Sequence, residues 1–305
     1  MRLVTFAAAD GPRAGVLVEG RVADAGRLLG SALRDVQALL ESGPDALDQL
    51  PDRLSSAPAE AWTPAREVRL LAPILRPPTI RDFAAFEGHV RNAVRNQGLS
   101  SPPDWWYRES VFYFSNPLTT LGPEGEVWRP RATRQLDYEV EVAAVIGREG
   151  SDIPEEQALD HVAGFVLYND WSARELCVNE FGGFGLHKGK DFAQALGPWL
   201  LTTDELHDRL SDGRLDLKVW AKVNGATWTD STTRDMNWSF SHLVAFASRD
   251  SRVVPGDVIG SGTVTLGCIF ERPHELRWLE DGDVVEIGGE RLGSTRHTVR
   301  VHPGA

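Results

Sequence analysis

The chain has 305 residues, 42% hydrophobic, 25% charged and 9% aromatic, an ordinary globular composition that excludes collagen, coiled coil and wholesale disorder. Its 44 acidic residues against 32 Lys and Arg give a net charge of −12, so neither nucleic acid nor an anionic membrane is an expected partner. Two cysteines, Cys177 and Cys268, are too few for a disulfide framework or a four-cysteine zinc site, and no window approaches the ~20 apolar residues of a membrane helix. A reducing, cytoplasmic setting is the expectation.

Leu3 to Ala9 is short for a signal-peptide core and ends in the turn Asp10-Gly11-Pro12, so it reads as a first strand. Glu19-Gly20 between two apolar runs predicts a hairpin. Residues 31–50 carry Leu33, Val36, Leu39 and Leu40 at helical spacing. An Ala/Pro/Ser-rich stretch and Pro77-Pro78 suggest a boundary near residue 75. This divides the chain into a small N-terminal β-rich module, 1–75, and a larger body, 76–305. Short β-like runs dominate the body: 111–114, 136–146, 164–168, 215–223, 253–259, 284–287 and 298–301. Helical patterns are confined to 82–97, 154–162 and 241–247. The expected fold is α+β but mostly β, a mixed-sheet roll or sandwich rather than a doubly wound sheet. There is neither a GxGxxG after a strand nor a P-loop.

Alternation along Leu136–Ile146 sets Asp137, Glu139 and Glu141 on one face, which turns apolar at Ala143. A solvated face is the plain reading, but the apolar continuation points to burial. Close buried carboxylates repel unless a cation lies between them, and hard oxygens suit Mg²⁺, Mn²⁺ or Ca²⁺. Asp170 ends the apolar run 164–168, and Asp82 ends Pro78-Thr-Ile-Arg-Asp and opens a helical pattern; each also suits an N-cap. His89 follows Asp82 by two helical turns, which would put both on one helix face. Lys190, after the glycine-rich stretch 181–187, can approach an anionic substrate; a surface loop is the alternative. Gly260–Gly267 offers backbone N–H groups and the Thr263 hydroxyl to a carboxylate. The Trp105-Trp106 pair would suit core packing or ring stacking.

In order and spacing these motifs resemble the fumarylacetoacetate hydrolase family across 76–303, with the small β module also typical of it. The resemblance rests on Asp82-Phe83…His89, Val111-Phe-Tyr113, Leu136-Asp-Tyr-Glu139-Val-Glu141, Asn169-Asp170-Trp-Ser-Ala-Arg174, Gly189-Lys190-Asp-Phe192, Gly256-Asp257…Gly262-Thr263 and Gly267-Cys-Ile-Phe-Glu271. It implies a β-sandwich roll, commonly a homodimer, with a divalent ion, Mg²⁺ first and Mn²⁺ or Ca²⁺ as alternatives. By position, Asp82, Glu139, Glu141 and Asp170 resemble metal ligands. His89 resembles the general base and Glu271 its carboxylate partner. Lys190, Arg174, Tyr113 and Thr263 resemble residues that meet a small anionic oxo acid. Cys177 replaces a family glutamine, and Ala84 and Phe181 replace tyrosines, which weighs against fumarylacetoacetate itself. Asn92 stands where the decarboxylating and acylpyruvate-cleaving branches carry glutamate. The resemblance therefore favours hydrolytic C–C cleavage of a β-diketo acid. Decarboxylation, isomerisation or hydration of a related oxo acid is the alternative; a non-catalytic binding module or a structural dimer would dispense with the metal and His89.

Overall fold

The computed structural model of the chain describes residues 1–181 and 185–303. Among these, thirteen strands form one sheet, along which lie, in order, Trp62–Pro64, Arg21–Asp24, Gly11–Val18, Arg2–Ala8, Leu200–Thr202, Val162–Asp170, Val140–Ile146, Val258–Gly260, Ile80–Phe83 and Phe112–Ser115. A second sheet of five strands runs Ala226–Thr232, Lys218–Val223, Val284–Gly289, Gly293–Arg300 and Glu124–Trp128. Val258–Gly260 pairs parallel with Ile80–Phe83 while most neighbours are antiparallel, so the sheet is mixed as expected.

The strand Val140–Ile146 is buried on both faces. Val140, Val142, Ala144 and Ile146 pack toward Val219, Ala221, Val285 and Ile287 of the second sheet. Ala143 and Val145 face the opposite side, with Leu3, Val16, Val36, Leu39 and Leu50. Burying each such Val or Leu contributes about 1.5–3 kcal/mol. The first 75 residues thus cover one face of the large sheet and extend its edge through Arg2↔Leu201. No helix among the described residues is long and apolar enough to cross a membrane.

Several local expectations need correcting. The helix read over 31–50 is two helices, Val36–Glu41 and Pro44–Ser55, because Gly43 adopts φ 89° and Pro44 starts the second one. The strand read over 136–146 breaks at Tyr138-Glu139: Leu136–Asp137 pairs instead with Ser172–Ala173. Asp82 is not helical. It lies in the strand Ile80–Phe83, in register with Gly260 and Tyr113, and the helix starts only at Glu87. Between them the Ala85 N–H donates to the Ser261 carbonyl and the Ala85 carbonyl accepts from Asn237, which holds the backbone extended.

His297, in the strand Gly293–Arg300, is almost wholly buried, and its Nε2–H donates to the Gly122 carbonyl at 3.0 Å. Burial pushes its pKa down to about 4, against the weaker opposite pull of that hydrogen bond. The unfolded chain then takes up a proton near the ordinary value of ~6.5 while the folded one stays neutral. Stability is complete above that value and falls as pH drops toward 4, by up to about 3 kcal/mol from this group. Denaturant midpoints measured from pH 7 to 4 are expected to fall less steeply in His297→Gln than in the native chain. Equal slopes would show that the buried ring is not responsible.

Candidate active site

Three carboxylates meet where adjacent strands of the large sheet end. Asp170 closes the strand Val162–Asp170, Glu141 lies near the start of Val140–Ile146, and Asp82 lies in Ile80–Phe83. One oxygen from each lies within 4.8 Å of the others, and all three residues are buried. Gly260, on the strand between Glu141 and Asp82, makes the approach possible, because a Cβ there would collide with the Asp82 carboxylate. The Tyr113 hydroxyl bridges Asp82, at 2.7 Å, and Asp170. Asp82 also accepts from the Gly262 N–H at 3.2 Å, and the Thr263 hydroxyl donates to Glu141 at 3.4 Å.

Glu139 faces a different way. Its carboxylate takes Arg174 on one oxygen, at 2.6 Å, and Lys190 on the other. Lys190 Nζ also contacts Asp170, so this buried ammonium links Glu139 to the trio. Burial opposes ionisation of Glu139, but Arg174 and Lys190 hold its carboxyl well below the usual range. Burial also opposes the charge on Lys190, and Asp170 with Glu139 more than reverses this, raising its pKa. In the trio the balance is the opposite: burial and the neighbouring acids push Glu141 up, and burial pushes Asp170 up despite Lys190.

Glu141 Oε2 and Asp170 Oδ1 are buried with no hydrogen-bond partner. A carboxylate only accepts, so what these oxygens lack is a donor or a cation. An all-oxygen donor set of this kind fits a hard divalent ion such as Mg²⁺, Mn²⁺ or Ca²⁺.

A second group lies beside the trio. Gly88 lets the helix Glu87–Asn96 press against Thr265, where a Cβ would collide. That contact brings His89 Nδ1 to 3.0 Å from Oε1 of Glu271. Glu271 is held in turn by the N–H groups of Leu266 and Gly267 and by the Asn92 side chain, each at 2.9 Å. Burial would raise its pKa, but His89 and these donors hold it below the ordinary value. Cys268 adjoins the pair, its Sγ 3.6 Å from Oε1 of Glu271, and burial pushes the pKa of its thiol well above the ordinary value.

Of the residues expected at a site, Asp82, His89, Tyr113, Glu139, Glu141, Arg174, Lys190 and Thr263 line one cavity, together with Ala84 and Cys177. Asp170 and Glu271 sit behind it, reached through Lys190 and His89. Lys188 is exposed and paired with Asp191. Trp106 is buried, donating Nε1–H to the Ala84 carbonyl at 3.0 Å, and Trp105 stands at the rim. The Phe181 side chain and residues 182–184 of the glycine-rich stretch lie outside the described residues.

Sequence reasoning named two residues without giving them a role in the site. Asn92 shares the Glu271 carboxylate with His89. Asp137 accepts from the Ile269 and Phe270 N–H groups, both at 2.9 Å, and from Arg174 Nε at 2.8 Å. Its place on the acidic face of 136–146 was the available signal. Asp137→Ala would leave three buried donors short of an acceptor, and a stability loss of about 3–5 kcal/mol is expected. Thermal unfolding checks this; an unchanged melting temperature would contradict it.

A family model described as fumarylacetoacetate (FAA) hydrolase, C-terminal, matches residues 79–300. A Burkholderia cenocepacia protein provisionally named a hydrolase is 35% identical over 194 residues, covering 62% of this chain and 67% of that protein. Among solved structures, a probable 2-hydroxyhepta-2,4-diene-1,7-dioate isomerase from Mycobacterium abscessus is 27% identical, with a TM-score of 0.74. Fumarylacetoacetate hydrolase from Exiguobacterium antarcticum is 26% identical, with a TM-score of 0.76. Each of these two comparisons covers 99% of this chain and 100% of the other.

Proposed function

The chain belongs to the fumarylacetoacetate hydrolase family, and from that premise we propose that it is a divalent-metal-dependent hydrolase that cleaves a C–C bond of a β-diketo acid. The observation that carries this reading is the His89–Glu271 pair at 3.0 Å, beside a carboxylate trio with two unpartnered oxygens. Asp82, Glu141 and Asp170 would hold the ion, with Glu139 a fourth candidate ligand. When bound, such an ion supplies Lewis-acid polarisation of substrate oxygens. Glu271, 3.0 Å from Nδ1 but not aligned for a hydrogen bond in the free chain, would orient the His89 ring as that contact tightens on substrate, leaving Nε2 to take a proton from water. The hydroxide formed adds to the ketone carbon, the C–C bond breaks, and the departing fragment leaves as an enolate that regains a proton. Lys190, kept charged by Asp170 and Glu139, offsets the enolate charge. Arg174 and Thr263 orient the substrate carboxylate.

The second reading is isomerisation of an unsaturated oxo-dioate, in which the same histidine would move a proton between carbons. It is favoured by the 27% identity to the probable isomerase. Purified protein should be assayed with and without chelator against acylpyruvates, fumarylacetoacetate, oxaloacetate and unsaturated oxo-dioates. Metal-dependent release of two fragments from a β-diketo acid is expected; turnover of the oxo-dioates alone would favour the second reading. Lys190→Met is expected to lower kcat/KM for the best substrate by at least ~10²-fold, the scale of one lost transition-state donor. Unchanged kinetics would remove Lys190 from the reaction.

A further inference from the structure

Besides the carboxylate trio, the described residues bring together one further set of metal-ligating side chains. It consists of His89, Cys268 and Glu271, with one donor atom of each within 4.8 Å of the others. The donors differ in kind from those of the trio. An imidazole nitrogen, a thiol sulfur and a carboxylate oxygen suit zinc, whereas three carboxylates suit a hard ion. The spacing suits zinc as well. Around a tetrahedral zinc such ligand atoms stand about 3.3–3.8 Å apart. Here Oε1 of Glu271 is 3.0 Å from His89 Nδ1 and 3.6 Å from Cys268 Sγ.

His89 Nδ1 is buried and has no hydrogen-bond partner, although Glu271 lies beside it. The Cys268 thiol donates toward Oε1 of Glu271, so a proton stands between two atoms that an ion would bridge. Cys268 is wholly buried, and burial with the nearby Asp137 pushes its pKa well up, which opposes a bare thiolate. A divalent ion removes that obstacle. It displaces the thiol proton to solvent, and its two positive charges cancel those of the thiolate and the Glu271 carboxylate. With His89 neutral, the filled site carries no net charge. The carboxylate is already fixed by the Leu266 and Gly267 N–H groups and by Asn92, the kind of outer support that metal ligands need. Access runs through the cavity, which His89 lines.

We propose that His89, Cys268 and Glu271 form a second metal site, one that takes zinc and similar borderline ions, and that an ion held there switches the protein off. The binding stands on these three residues alone. The inhibition rests on the reading of His89 as the base given above: an ion on Nδ1 takes Glu271 away from the ring and adds positive charge to it, so Nε2 no longer accepts a proton. A hard ion at the trio and a borderline ion at the dyad therefore act in opposite directions.

Cobalt(II) is the probe, because a bound thiolate gives it a charge-transfer band in the near ultraviolet that oxygen ligands do not. One equivalent is added to the protein in excess Mg²⁺, which keeps the trio filled. The expected result is that band together with the visible absorption of tetrahedral cobalt, both removed by zinc. Cys268→Ser is expected to abolish the band, and Cys177→Ser, which changes the other thiol, to leave it. No band in the native protein, or a band lost with Cys177→Ser and kept with Cys268→Ser, would overturn the site. Should Cys268→Ser fail to fold, His89→Ala decides. It keeps the thiol, yet its cobalt affinity should fall by at least ~10²-fold, beyond the 10–100-fold typical of outer-shell changes; native affinity would overturn the site. For the inhibition, turnover of the best substrate in excess Mg²⁺ is followed as zinc is added. Cys268→Ser should need at least ~10-fold more zinc for half-inhibition; equal sensitivity would show that zinc acts elsewhere. Zinc held at Cys268 with turnover intact would leave the site standing and remove His89 as the base.

Discussion

Glu141→Gln is expected to weaken Mn²⁺ binding by at least ~10²-fold, beyond the 10–100-fold typical of outer-shell changes, and to remove turnover with it. The same substitution should raise the melting temperature of the metal-free protein. Glu141 is buried beside Asp82 and Asp170, and burial with their charges pushes its pKa far up. A neutral amide there relieves that penalty. Activity loss alone would also follow from misfolding; higher apo stability together with a lost metal-induced stabilisation would not. A variant that binds Mn²⁺ as the native chain does would exclude Glu141 as a ligand.

The second large effect is expected at the dyad. His89→Ala and Glu271→Gln should each lower kcat by about 10²- to 10⁴-fold, the range for a general base or the group that orients it. The double substitution should cost little more than the worse single one, since each residue works only through the other. Steady-state kinetics of the four proteins with one substrate provides the check. Costs that add independently would mean that Glu271 acts on something other than His89.

The class of fold was readable because it depends on local pattern: short β-branched runs, frequent turns, few amphipathic stretches. Even so, Asn224-Gly225 was a missed hairpin signal. Both residues take positive φ, 51° and 82°, and join Lys218–Val223 to Ala226–Thr232. The acidic face of 136–146 was legible by alternation, but the fate of each acid was not. Asp137 and Glu139 turn to Arg174, and Glu139 takes Lys190 as well, because the strand breaks at Tyr138-Glu139 and the Glu139 N–H is held by the Asn169 side chain. Glu141 alone stays on the trio's side. Helical spacing placed Asp82 and His89 on one face for the wrong reason. They share the cavity because a strand and a helix meet there, with Ser261 and Asn237 fixing the turn between them. The approach of Glu271 to His89 depends on a loop tied back to the sheet by Val140, whose N–H donates to the Gly267 carbonyl and whose carbonyl accepts from Val264. Residues this far apart in sequence carry no periodic signal; only family resemblance pointed to them.

The central claim is that water is added across a C–C bond with His89 as the base. It is tested most directly by mass spectrometry of the products of an acylpyruvate turned over in heavy-oxygen water with Mn²⁺. The account predicts pyruvate and a carboxylic acid in equal amounts, the acid carrying one solvent oxygen beyond the substrate's own exchange, and neither product with His89→Ala. A product of unchanged mass, or release of CO₂ with no solvent oxygen incorporated, would contradict it.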